Sequence, residues 1–293
     1  MNRERRGLRR ICERNSNRSS PIPTFEHDGI YFHYADIGDG VPFVFQHGLG
    51  GDLSQPLELF TPPPGVRLLC FDFRAHGQTE PLGPEVKISI YHCGDDLMHF
   101  LDHLGLDRAV VGGISMGAAV AANYALRYPH RVAGLVLSRP AWLEGPNVDN
   151  AARFGLIAVL LRRFGPEQGK LLLQRAEIYG AMNAASPGMA DSLAAQFDNP
   201  DAAERAARLE RIPLDAPYES LDQLASISVP TLVLANRQDW VHPFSYGEQI
   251  ARAIPGAQFH EIPAKLIDPV AHARDVNIHL HSFLQQNFLQ VLL

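Results

Sequence analysis

The ten residues from Val110 to Ala119 constrain the fold of this chain more than any other stretch. An apolar run, Val110-Val111-Gly112-Gly113-Ile114, stops at Ser115; Met116, Gly117, Ala118 and Ala119 follow. The pattern predicts a strand that turns sharply into a helix with Ser115 at the apex. The serine would sit in a strained backbone conformation, and Gly113 and Gly117 would let strand and helix approach each other. Its hydroxyl would then project from the carboxyl edge of a sheet. A serine hydroxyl is a weak nucleophile until a base takes its proton, so the placement matters only if the chain supplies a base and an acid elsewhere. Gly113-x-Ser115-x-Gly117 alone is short enough to arise by chance. A β-type run from Ala109 and a helix-type run to about Tyr128 give it context.

With 293 residues, 46% hydrophobic and 20% charged, the chain has room for one large α/β domain with an insertion. Charge is uneven. Residues 1–20 hold seven arginines against Glu4 and Glu13, a local net of +5, which leaves −11 of the overall −6 for the remainder. That sign disfavours a nucleic-acid partner for the folded part. Residues 1–20 read as a disordered basic tail without the apolar segment of a secretory signal. The three cysteines, Cys12, Cys70 and Cys93, are too few and too scattered for a disulfide framework or a metal cluster, so no metal is expected and the expected location is cytoplasmic; no cofactor is expected either. No apolar run reaches the ~18 residues of a membrane span.

Strand-like runs at Thr24–His27 and Ile30–Ile37 flank Asp28-Gly29, a hairpin signal. The run Val41–Gln46 ends at the turn His47-Gly48-Leu49-Gly50-Gly51, whose N–H groups could face a developing oxyanion; Leu49 and Met116 are the best-placed donors by position. Val66–Phe73 reads as a strand and Ser89–Leu104 as an amphipathic helix, with Leu97, Phe100 and Leu101 on one face and Asp95, Asp96 and Asp102 elsewhere. Val132–Leu137 and Val229–Asn236 are further strands, Pro243–Ile254 a helix, Gln258–Ile262 a last strand and His272–Leu289 a closing helix. Strand-then-helix repetition implies a largely parallel sheet covered on both faces. Between Ala141 and about Tyr218, alanine, leucine and arginine dominate, and Pro146, Pro166, Pro187 and Pro200 punctuate helical pieces. This reads as a helical insertion lying over the sheet's carboxyl edge.

Three stretches together resemble the α/β-hydrolase fold family over nearly everything from Phe25 to Leu289: Phe45-Gln46-His47-Gly48, Phe71-Asp72-Phe73-Arg74-Ala75-His76-Gly77, and Gly113-Ile114-Ser115-Met116-Gly117. The resemblance implies a hydrolase core at 21–141 and 218–293 with a helical cap at 142–217. It matches Ser115 to the nucleophile, the backbone of Leu49 and Met116 to the oxyanion hole, and Asp239 to the acid. The family's chain order is Ser, Asp, His. Such a set works because the imidazole takes the serine proton and returns it to the leaving group, while the carboxylate fixes the tautomer.

The histidine departs from the family pattern, because the loop Pro263-Ala264-Lys265-Leu266-Ile267-Asp268-Pro269 contains none. His272, at the start of the last helix, is the nearest choice, and Lys265 is an alternative base. His260 lies in a strand, His279 and His281 lie far along a helix, and His242 follows Asp239 too closely to be its expected partner, though it could line the pocket. His47, His76, Asp72 and Arg74 are expected to brace their turns. Trp142, Tyr179, Trp240 and His242 are expected to contact the substrate, an uncharged or weakly polar small molecule, since the lining is apolar and aromatic. The leading expectation is hydrolysis of an ester or related carbonyl compound through an acyl-enzyme. The missing loop histidine keeps open a binding protein without turnover, or elimination or cyclisation chemistry. The oligomeric state is left open.

Overall fold

The computed structural model describes residues 23–199 and 201–289; the basic tail expected at 1–20 lies outside them. Eight strands form one sheet: β1 (Thr24–His27), β2 (Ile30–Gly38), β3 (Val41–Gln46), β4 (Val66–Phe71), β5 (Ala109–Ile114), β6 (Val132–Ser138), β7 (Thr231–Ala235) and β8 (Gln258–Glu261). Their order is β1-β2-β4-β3-β5-β6-β7-β8. β1 and β2 pair antiparallel, and β2 meets β4 antiparallel; every later pairing is parallel. The hairpin turn is Asp28-Gly29, both with positive φ, as a tight two-residue connection requires.

Alternation along the central strands divides the core between the two faces. Val44, Val111, Leu135, Leu137 and Val233 pack with the helices Ile90–His103 and Met116–Arg127. Phe43, Phe45, Val110, Val136, Leu232 and Leu234 pack under the helix Pro269–Asn287 through Val276, Leu280 and Phe283. A side-chain period of two feeds both faces, and β5 and β7 are buried at every residue.

The segment between β6 and β7 is helical. Its long helix, Val148–Arg175, is broken at Gly165 (φ 74°, ψ 176°), a conformation open to glycine, and Pro166 starts the second half. Helices Glu177–Ala185, Pro187–Ala194 and Ala207–Arg211 follow. They enclose a separate apolar cluster that includes Phe154, Ile157, Leu161, Leu173, Leu193, Phe197 and Leu209. The segment therefore has a small core of its own, while Trp142, Ala207, Ile212 and Tyr218 from it also join the main core beneath.

One of the aspartates read as lying off the apolar face of the helix Ile90–His103 is nonetheless buried. Asp96, on the helix Ile90–His103, has no exposed surface and accepts hydrogen bonds at 2.6 Å from both Nε and Nη2 of the buried Arg74. This pair, extended by Asp28, fastens the turn after β4 to the hairpin and the helix. The two oxygens of Asp72 accept from the backbone of Leu53 and Gln78, so the same turn is also tied to the loop after β3.

Candidate active site

Ser115 follows β5 directly and precedes the helix Met116–Arg127, with φ 56° and ψ −108°. That region is costly for a residue with a side chain, and the surrounding packing holds it. A Cβ on Gly117 would lie 2.6 Å from the carbonyl oxygen of Gln46, and one on Gly113 would lie 2.5 Å from Gly117. The glycines are thus required by close approach of β3, β5 and the helix. The loop after β3 completes this corner: His47 Nε2 accepts from the Phe73 N–H, its Nδ1 donates to the Gly48 carbonyl, and Gln55 Oε1 accepts from the Gly48 N–H at 2.7 Å. Among the described residues the N–H groups of Leu49 and Met116 have no acceptor.

Ser115 opens on a cavity of about 130 Å³ walled by Leu49, Trp142, Phe154, Asp239, His242 and Lys265, with Arg139 and Gln55 among its polar contributors. Asp239 follows β7. Its Oδ1 accepts from the backbone of Val241 and His242, both at 3.1 Å, and its Oδ2 lies 2.9 Å from His242 Nδ1. Asn150, from the long helix of the β6–β7 segment, donates to the Val241 carbonyl and secures the loop from above. Burial opposes ionisation of Asp239, but His242, Arg139 and the backbone donor outweigh it and hold the carboxyl well below the usual range. Burial lowers the His242 pKa, and the neighbouring carboxylate only partly restores it. At neutral pH the couple is therefore a carboxylate beside a neutral imidazole. Nδ1 donates to Asp239, which leaves Nε2 as the basic nitrogen.

This arrangement differs from the expected one. His242, judged too close in sequence, is the histidine bonded to Asp239. His272 is buried (1% exposed); its Nδ1 donates to the Pro263 carbonyl at 2.8 Å, and its Nε2 is sealed without a partner. It lines a second cavity of about 360 Å³, not the one holding Ser115. Burial, with Arg139 adding to it, brings its pKa down to about 4. Of the expected substrate contacts, Trp142 and His242 line the first cavity. Trp240 is 46% exposed and Tyr179 packs against the apolar cluster of the β6–β7 segment; neither reaches that cavity. No described side chain hydrogen-bonds the Ser115 hydroxyl. No group of histidine, cysteine or carboxylate side chains capable of holding a metal occurs among the described residues, and none of their helices is long and apolar enough to cross a membrane.

A polar residue the sequence reading passed over is Arg139. It follows β6 in the left-handed region (φ 49°), lines both cavities, and places Nη1 3.4 Å from Asp239 Oδ2. A cation immediately after a continuous apolar strand, at the carboxyl edge of the sheet, was the signal available for it.

The strand order, the strained serine between β5 and its helix, and the acid after β7 define a class of fold, and comparison with known proteins assigns it. The family model for the alpha/beta hydrolase fold matches residues 41–265, and the chain belongs to that family. RutD of Pseudomonas syringae pv. syringae, named as a candidate carbamate hydrolase, is 30% identical over 77% of this chain and 86% of its own. The 3-oxoadipate enol-lactonase 2 of Acinetobacter baylyi is 26% identical over 87% of this chain and 93% of its own. The crystal structure of the enol-lactonase from Burkholderia xenovorans LB400 superimposes with a TM-score of 0.69 at 25% identity, covering 90% of this chain and all of that one.

Proposed function

We propose that this protein hydrolyses a small ester, lactone or related carbonyl compound through an acyl-enzyme on Ser115, with His242 as general base and Asp239 as its orienting acid. The observation that carries the reading is the Asp239–His242 couple on the wall of the cavity that also holds Ser115. In this reading Nε2 of His242 takes the Ser115 proton as Oγ bonds to the substrate carbonyl carbon. The N–H groups of Leu49 and Met116, which have no other acceptor among the described residues, receive the oxyanion. The imidazolium then gives its proton to the leaving oxygen, the carbon–oxygen bond breaks, and water repeats the sequence to release the acid and restore Ser115. Residues 142–217 act as a cap, since Asn150, Phe154 and Leu193 from this segment wall the cavity. The relatives named for lactone and carbamate hydrolysis agree with a carbonyl substrate, and the small cavity favours a short acyl group.

A fluorophosphonate probe tests the nucleophile. Labelling should map to Ser115 and vanish in Ser115→Ala; a wild-type protein that takes no label overturns the reading. A second reading, small-molecule binding or non-hydrolytic chemistry, draws on the unpartnered Ser115 hydroxyl. It requires products that carry no oxygen from labelled water.

A further inference from the structure

We propose that the substrate carries a carboxylate or a comparably compact anionic group, received by Arg139 and Lys265 where the two cavities share a wall. The inference rests on the hydrolytic reading above and names its substrate class.

Four residues line both cavities: Gln55, Ile114, Arg139 and Lys265. Three of them are donors. Arg139 has a side chain only 8% exposed, and its Nε is sealed without a hydrogen-bond partner. Among the described residues its one side-chain hydrogen bond is the long 3.4 Å approach of Nη1 to Asp239, whose carboxylate is already committed to His242 and two backbone N–H groups. A buried guanidinium with most of its N–H fork unused is costly unless an anion completes it. Lys265 forms no ion pair among the described residues, is exposed, and lines both cavities. Gln55 spends its carbonyl on the Gly48 N–H, which leaves its amide N–H groups free to donate.

The local charge points the same way. The ionisable side chains lining the first cavity are Arg139, Lys265, Asp239 and His242, so with a neutral imidazole the cations outnumber the one carboxylate. Asp52 and Glu58 line only the second cavity, so the anion is placed on the Ser115 side of the shared wall. The weakly polar substrate expected from the aromatic residues took no account of Arg139.

The test compares two activated esters of matched length, p-nitrophenyl butyrate and mono-p-nitrophenyl succinate, the second ending in a carboxylate. Wild-type enzyme should favour the succinate ester by about tenfold or more in kcat/KM, the usual worth of a charge-assisted hydrogen bond. Lys265→Gln and Arg139→Gln should each bring that ratio down toward one. Lys265 is exposed, so its variant keeps the test sound if the buried Arg139 proves necessary for folding. A preference for the butyrate ester, or a ratio unmoved by Lys265→Gln, overturns the proposal. If neither ester is cleaved, the hydrolytic reading fails separately. Calorimetric binding of succinate then decides: binding weakened about tenfold by Lys265→Gln supports the anion site, and equal or absent binding in both proteins sinks it.

Discussion

Nδ1 of His242 lies 2.9 Å from Oδ2 of Asp239, three residues earlier in the same loop. The acid and the imidazole thus come from one turn, whereas the family pattern places the histidine beyond the last strand. If this couple activates Ser115, His242→Gln should lower kcat on an activated ester by about 10²- to 10⁴-fold, the span of general-base contributions. His272→Gln should change kcat by no more than a few-fold, because His272 lines the other cavity. The reverse outcome, with His272→Gln inactive and His242→Gln retaining activity, returns the base role to His272.

The pH profile follows from the same couple. A general base works in its neutral form, and burial lowers the His242 pKa below the ordinary 6.5. Raising the pH through that lowered value generates the active imidazole, so the acid limb of kcat/KM should have its midpoint below pH 6.5. An acid limb with its midpoint above pH 7 would contradict both the pKa direction and the assignment.

The parts of the fold set by local periodicity were legible in the sequence. Apolar runs one sheet-width long, glycines where backbones touch and a serine at a strand's end announced β3, β5, the sharp turn and the alternation with helices. What was not legible depends on how one short loop folds back. Asp239 accepts from the N–H groups two and three residues ahead, a turn that swings His242 onto its own carboxylate and leaves Trp240 in solvent. Linear spacing made His242 look too near. The burial of Asp96 was not legible for a related reason: its partner, Arg74, is 22 residues away in the chain.

The contact between β3 and the helix after Ser115 leaves no room for a methyl group. A Cβ at position 117 would approach the carbonyl oxygens of Gln46 and His47 to 2.6 and 2.8 Å, and both are backbone atoms that cannot rotate away. Gly117→Ala should therefore destabilise the protein by about 1–3 kcal/mol, the range for overpacking a close-packed interior. It should also lower kcat, since the same displacement moves the Met116 N–H. Urea unfolding and ester turnover on one preparation check this; a variant with wild-type midpoint and kcat would mean that the helix does not bear on β3 as described.

His272 makes stability depend on pH in a window that its own pKa defines. Buried and neutral in the folded protein, it takes a proton only near pH 4, whereas in the unfolded chain it takes one near 6.5. Between those values the unfolded state binds more protons, so stability is fully present above about 6.5 and is lost as the pH falls toward 4. A difference of about 2.5 pH units corresponds to about 3 kcal/mol. His272→Gln removes the titration. Whatever the substitution costs at pH 7, urea unfolding at pH 4.5 should show the gap between variant and wild type closing by about 2–3 kcal/mol in the variant's favour. A gap that stays constant between the two pH values would mean that His272 is protonated as easily in the folded protein as in the unfolded chain, and that its burial carries no electrostatic cost.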